Sequence, residues 1–313
     1  MFTITPYTPA LADEWNRFVA TSKNGTFLFD RRYMDYHADR FTDASLVIRR
    51  SDTVYALLPA NRVGSTLYTH QGLSYGGLVL SDEATTAHVC TLFEELNAHL
   101  AQSGIGSVVY KPVPHVYHQH PAEEDLYALF TVCHARIAGR NVSSVIVLQQ
   151  RLKWKRDRHY AANKARTNGL YVLPTDDYEQ FWTILSDNLA AKFGARPVHS
   201  LQEVLLLHSR FPDNIRLYAA YSPEGKMLAG TVIYVCGSTI RSQYISATPE
   251  GKRLHAVDAL YDHLINVLYA GARYFDLGTS NMPGSSDLHA SLIYQKEGFG
   301  GRAVCCDTYV YDL

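Results

Sequence analysis

A run of leucines recurs at a fixed offset in the two halves of this 313-residue chain, and that recurrence limits its possible folds more than any other feature. Leu92, Leu96 and Leu100 lie one helical turn apart within residues 86–103; Leu260, Leu264 and Leu268 repeat the spacing within residues 254–270, each 168 positions further on. After each stretch comes a small-residue turn with glycine, Gly104 or Gly271, and then a β-rich run, SVVYK or RYFDL. Before each comes a hairpin-like pair of apolar runs, SLVIRR with VYALLPANRV and IRLYAAY with MLAGTVIYV, leading into a Gly-Ser-Thr turn at Gly64 and Gly237. One supersecondary unit of strands, helix and strand therefore occurs twice, and two α/β (α+β) cores are expected. The boundary falls near Gln150, within about ten residues, giving domains 1–150 and 151–313.

Composition narrows the class of partner. A formal charge of -1 provides no global field for a polyanion, so phosphate or nucleic-acid binding has to come from a local patch. The start, MFTITPYTPALADEWNRF, lacks a basic stretch followed by an apolar run, and no segment has the roughly 18 apolar residues of a membrane span, so a soluble cytoplasmic protein is expected. Five cysteines without C-x-x-C spacing read as reduced thiols, with Cys305 and Cys306 on opposite faces of a strand. His115, His118 and His120 lie close together between two prolines, but without H-E-x-x-H spacing or a nearby cysteine, and no metal is expected. The sequence has no G-x-S-x-G elbow, Walker loop or strand-linked G-x-G-x-x-G, which argues against hydrolase, NTPase and dehydrogenase chemistry.

The runs RDRHYAANKARTNG (156–169), AKFGARPVHS (191–200), QYISATPEGKRLHAVDALYDHLI (243–265), YFDLGTS (274–280) and LIYQKEGFGGR (292–302) carry a family likeness. In their order and spacing the chain resembles GNAT (N-acetyltransferase) superfamily acyltransferases, in particular the Fem-type peptidyltransferases built from two such domains. The resemblance implies two tandem GNAT-like domains, each a mixed, largely antiparallel sheet flanked by helices and splayed at its middle. It also implies acyl transfer to an amine from an acyl carrier, either a coenzyme A thioester such as acetyl-CoA or an aminoacyl-tRNA. The long helical arm of some Fem-type enzymes has no counterpart here, and the acyl-CoA signature R/Q-x-x-G-x-G/A is degenerate.

Several residues are candidates for the chemistry. The segment 248–256 leads from a strand into the amphipathic helix, where free amides and the macrodipole favour an anion, so Gly251, Lys252, Arg253, Leu254, His255 and Ala256 are expected to bind the donor's pyrophosphate; a plain connector would read the same way. By the resemblance, Lys296 lines the acceptor channel, stabilises the oxyanion or holds an acceptor phosphate, and Tyr294 protonates the leaving thiolate. Their ordinary alternatives are a surface lysine beside Glu297 and a core aromatic. Asp276, after the apolar Tyr274 and Phe275, is the preferred proton acceptor, ahead of Asp258 and His255, unless it merely ends its strand. Tyr244, on the strand before the phosphate loop, adds a hydroxyl to the cleft wall of Asp276 or serves only as a packing residue, while Arg196 and His199 are placed to bind an acceptor phosphate or carboxylate, with His199 alternatively capping the helix from Ser200. Lys153, Lys155, Arg156, Arg158, Lys164 and Arg166 against Asp157 form either a solvated basic helix or a nucleotide or tRNA surface.

Three functions compete. The first is a CoA-dependent N-acyltransferase acting on an amine of an amino sugar or surface-polysaccharide precursor, the polysaccharide being implied by resemblance alone. The second is a Fem-like aminoacyltransferase using charged tRNA, and the third a non-catalytic binding protein that kept the fold. In each, the glycines of the amino-terminal repeat, displaced from its helix start, assign that half to scaffold and acceptor wall.

Overall fold

The computed structural model describes the whole chain except Pro283 and the side chain of Phe193, the latter within the AKFGARPVHS run. Two compact units emerge, one of Met1–Asn141 with Cys305–Leu313, the other of Val142–Val304. The division thus lies nine residues before Gln150, and the last strand returns to the first unit. No helix among the described residues is long and apolar enough to cross a membrane. All five cysteines are free thiols.

In the first unit, Phe2–Pro6, Leu46–Arg50, Thr53–Leu58 and Val79–Leu80 form an antiparallel sheet. The helix Thr86–Gln102 covers it, because Leu92, Leu96 and Leu100 fall on one stripe and bury against Ile48, Ala56, Leu58 and Leu80. Thr66–Tyr68 then pairs parallel with Ser107–Tyr110 across that helix, and Tyr309 lies opposite Tyr110 on the returning strand. Of the three histidines 115, 118 and 120, His118 is buried with Nε2 2.9 Å from the Val113 carbonyl.

Beneath this sheet the Tyr110 hydroxyl donates to Asp125 (2.7 Å) and accepts the Leu78 amide (2.7 Å). Burial pushes the Asp125 carboxyl up to about 7. An acid whose folded pKa exceeds its unfolded value near 3.8 binds its proton more tightly in the folded state, so stability declines as pH rises from about 4 to about 7. Asp125→Asn retains an acceptor oxygen but no titration, and the urea midpoint of this variant is expected to vary less between pH 5 and 8 than that of the parent. An unchanged slope would remove Asp125 as its cause.

In the second unit the sheet runs Tyr171–Pro174, Ile215–Tyr221, Met227–Cys236, Thr239–Ala247, Tyr274–Thr279 and residues 142–147. All pairings are antiparallel except that of Thr239–Ala247 with Tyr274–Thr279. That parallel ladder holds only three pairs, Thr239 with Tyr274, Ile240 with Phe275 and Arg241 with Asp276. Beyond it the two strands separate, opening the sheet at its middle.

The repeat survives at the level of topology, since both units contain a short parallel ladder bridged by the leucine helix. The helices differ in one respect. Leu260 and Leu264 are fully buried, but Leu268 is 45 % exposed, contrary to the single-face expectation. The reason is a π turn over Leu264–Leu268, in which the Tyr269 amide reaches back five residues to the Leu264 carbonyl (2.9 Å) and rotates Leu268 off the stripe. The rod of the 254–270 segment starts at Ala256, two residues later than expected, and runs on to Leu268. His255 adopts a left-handed conformation (φ 60°) that separates the short helix Pro249–Arg253 from Ala256–His263.

Candidate functional site

Strand alternation and one bulge decide which side chains meet where the sheet opens. Phe275, Leu277 and Ile240 point into the core with Leu260 and Leu264, so their neighbours Asp276 and Arg241 point to the opposite face. Rather than ending its strand, Asp276 lies inside it and is almost wholly buried. Its Oδ2 accepts Arg241 Nη1 (2.8 Å), and Oδ1 accepts the Gly278 amide (2.8 Å) and the Ser143 hydroxyl. A carboxylate engaged by three donors is held in place, which suits a positioning role better than the proton-accepting one read from the sequence. Gly278 follows in the left-handed region (φ 80°), open to a residue without a Cβ, and this turns its carbonyl and that of Thr279 toward Lys296.

Lys296 comes from the helix Ala290–Gly298 and is 7 % exposed, so it is not a surface lysine. Nζ donates to the carbonyls of Gly278 (2.8 Å) and Thr279 (2.7 Å), and its third hydrogen has no partner among the described residues. Burial lowers its pKa to about 8, against the attraction of Asp276. Arg241, Lys296 and Asp276 together leave one net positive charge in the opening while Lys296 is protonated, an environment suited to a carbonyl oxygen gaining negative charge.

The expected phosphate seat is built differently. Thr248 caps the short helix by accepting the Gly251 amide (2.9 Å), so that amide is already used. Gly251 is required by packing, because a Cβ there would lie 2.2 Å from the Leu228 carbonyl oxygen. Gly251→Ala is therefore expected to destabilise the unit by about 1–3 kcal/mol in urea denaturation, as overpacking does; a loss under about 0.5 kcal/mol would contradict that packing. Lys252 reaches Asn188 Oδ1 (2.5 Å), and Arg253, Leu254, His255 and Ala256 carry the chain through the break into the helix Ala256–His263. In the first turn of that helix Asp258 places a carboxylate, paired with Arg158 (2.7 Å) and raised in pKa by burial despite the guanidinium. A recess of about 240 Å³ remains between Arg158, Gly251, Lys252, His255 and Gln295.

On the face shared by Asp276 and Arg241 a second group of expected residues comes together. The Tyr244 hydroxyl lies 2.5 Å from His199 Nδ1, and both rings meet edge to face. His199 precedes the helix cap, which Ser200 itself provides in a reciprocal pair with Glu203. Arg196, on the preceding loop, is exposed. Tyr294 is also exposed, with Lys155 Nζ 3.6 Å above its ring, and is neither a core aromatic nor directed at Lys296 Nζ by any hydrogen bond among the described residues. Lys153, Lys155, Arg156, Lys164 and Arg166 all face solvent, whereas Arg158 turns in to Asp258. Arg241, Ser143 and Asn188 were missed from the sequence. An arginine inside the strand run STIRSQYISA was the one available signal, since a charge in a central strand needs a buried partner.

Residues 153–284 match the family model described as an acetyltransferase (GNAT) domain. No curated protein matches the sequence. Among solved structures, FemX is similar with a TM-score of 0.71 at 12% identity, over 99% of this chain and 97% of that one. L-PGS from Bacillus licheniformis gives a TM-score of 0.59 at 13% identity, covering 98% and 92%. A tandem GNAT protein from the clavulanic acid biosynthesis pathway gives 0.51 at 10% identity, covering 100% and 98%. Residues 153–284 thus match a GNAT-type acetyltransferase domain, and the chain as a whole has a tandem GNAT-like fold similar to that of FemX.

Proposed function

We propose that this chain is an acyltransferase that joins an activated acyl group to an amine in the opening of its second unit. The observation that carries this reading is Lys296, a buried ammonium held by two backbone carbonyls with one hydrogen uncommitted beside the separated strands. The acyl carbonyl lies against that hydrogen, which stabilises the oxyanion formed when the amine attacks. Asp276 holds Arg241 and the Gly278 turn in place, so the cation is pre-set before the acyl group arrives. The acceptor is an amine on a sugar, peptide or nucleotide-linked precursor.

For the donor, an aminoacyl-tRNA fits better than a CoA thioester. At the helix start the Gly251 amide is already taken by Thr248 and Asp258 and Arg158 neutralise one another, so a pyrophosphate finds fewer free donors there than the sequence implies. The exposed cations of the Arg156–Thr167 helix, with Tyr160 among them, supply the local patch a nucleic acid needs. A second reading retains acetyl-CoA, favoured by the recess that Arg158, Lys252 and His255 line. Mass spectrometry separates the two: the chain is incubated with acetyl-CoA or mixed aminoacyl-tRNA and with glucosamine, ethanolamine or lysine amide. An amide product from either donor supports acyl transfer and identifies the carrier. The absence of product from both, with neither donor retained by the protein, would overturn the reading in favour of a binding protein that kept the fold.

A further inference from the structure

We infer that Tyr244 and His199 form the proton-accepting dyad of this site, Tyr244 as the catalytic residue and His199 as the positioning base behind it; the inference rests on the acyl-transfer reading above. The argument begins with the sheet register. Arg241 pairs with Tyr234, Ser242 with Ile233 and Tyr244 with Val232, so Gln243 is an extra residue, a bulge. Without it, residues 241 and 244 would point to opposite faces of the sheet. With it, Arg241 and Tyr244 share the face of their partners Tyr234 and Val232, which is also the face of Asp276. The bulge therefore brings the Tyr244 phenol alongside the Arg241–Asp276 pair, about two strand steps or roughly 7 Å along the strand. Tyr244 also lies beyond the last pair of the parallel ladder, where the strand has left its neighbour and its side chain is half-buried.

What surrounds the phenol is built to hold it. Trp182 packs edge-on against its ring (centroids 5.2 Å apart) and donates its indole N–H to the His199 carbonyl (3.1 Å). The helix beginning at Leu201, fixed by the Ser200–Glu203 cap, sets the His199 backbone. Nδ1 faces the hydroxyl at 2.5 Å and the His199 backbone N–H donates to the same oxygen (3.4 Å); in the tautomer that carries its hydrogen on Nε2, the imidazole accepts the phenolic hydrogen.

The step balances as follows. The acceptor nitrogen forms a bond to the acyl carbon while its proton passes to the Tyr244 oxygen, and the phenol's own hydrogen passes to His199 Nδ1. The carbonyl electrons move to the oxyanion beside Lys296 and return as the bond from carbon to the carrier's oxygen or sulfur breaks. The imidazolium then gives its proton to the departing group or to water, which restores the dyad.

The test compares Tyr244→Phe, which keeps the ring and its contact with Trp182, with the parent, using the donor and amine that yield product above. Expected is a fall in kcat of about a hundredfold or more with the donor KM within about twofold, together with loss of the acidic limb of the kcat profile. His199→Asn, which keeps a polar atom near Nδ1 but cannot take a proton, is expected to show the same loss, and both variants to retain the parent's circular dichroism. If either variant misfolds, the other decides. Parent-like kcat and pH profile in a folded variant would overturn the dyad while acyl transfer stands. Failure of the parent itself to form product from any donor would overturn acyl transfer, and the dyad with it.

Discussion

Lys296→Met is expected to lower kcat at least about a hundredfold while the variant still folds, because loss of one pre-set donor to a developing oxyanion typically costs 10²–10³ in rate. Methionine fills much the same volume, so the helix Ala290–Gly298 has no cavity to collapse into. The substitution leaves the Gly278 and Thr279 carbonyls without their donor, at about 1–3 kcal/mol each, but also relieves the burial of a charge, and the two effects partly offset. A second signature separates catalysis from packing. With the Lys296 pKa lowered to about 8, its ammonium is lost as pH rises through 8, and the parent's turnover should fall there. Stability should move the other way. Between about 8 and the ordinary lysine value of 10.5 the unfolded chain binds the extra proton, so the folded state gains as pH rises over that interval. Turnover falling while the urea midpoint climbs above pH 8 is the expected pair of curves. Unchanged turnover in the methionine variant would remove Lys296 from the mechanism.

What the sequence disclosed was governed by periodicity and by order along the chain. The leucine stripes, the glycine turns and the strand runs sit at fixed spacings, and spacing survives translation into structure: the two short parallel ladders bridged by a helix follow from it. The departures come from local events that leave little trace in a hydrophobic pattern. The π turn that exposes Leu268 adds one residue to a helical turn while its sequence, LINVL, keeps leucines at the helical spacing and an apolar character broken only by Asn266. The left-handed His255, which delays the helix start to Ala256, is one histidine among fourteen, and the residue type alone does not mark where the chain turns left-handed. For the site, Lys296, Asp276, Tyr244 and His199 were all named from the sequence, and Tyr244 was set on the wall of Asp276, but the contact of His199 with Tyr244 was not. The bulge at Gln243 decides the face of Tyr244, and nothing in QYISA announces it. Asp258 at the helix start was legible as a residue but its neutralisation by Arg158 was not, because that pair joins positions a hundred residues apart.

Asp276→Asn should cost about 3–5 kcal/mol, the usual result of removing one member of a buried ion pair and stranding the other. Asparagine retains one acceptor for the Gly278 amide or the Ser143 hydroxyl, but its amide nitrogen then meets the Arg241 guanidinium donor to donor. A unit the size of Val142–Val304 loses roughly 2–4 °C in Tm per kcal/mol, so a fall on the order of 10 °C is expected. The double variant Asp276→Asn with Arg241→Met removes the stranded charge and should recover most of that loss, since replacing a whole buried pair by apolar groups is often neutral. Turnover should not recover with it. The Gly278 turn that presents two carbonyls to Lys296 is held through Asp276, and Arg241 contributes the cation that leaves the opening positive. Recovery of stability without recovery of rate would therefore identify the pair as a device that sets the field at the oxyanion. If the double variant instead regains turnover, that field comes from Lys296 alone, and Asp276 serves only to neutralise its neighbour.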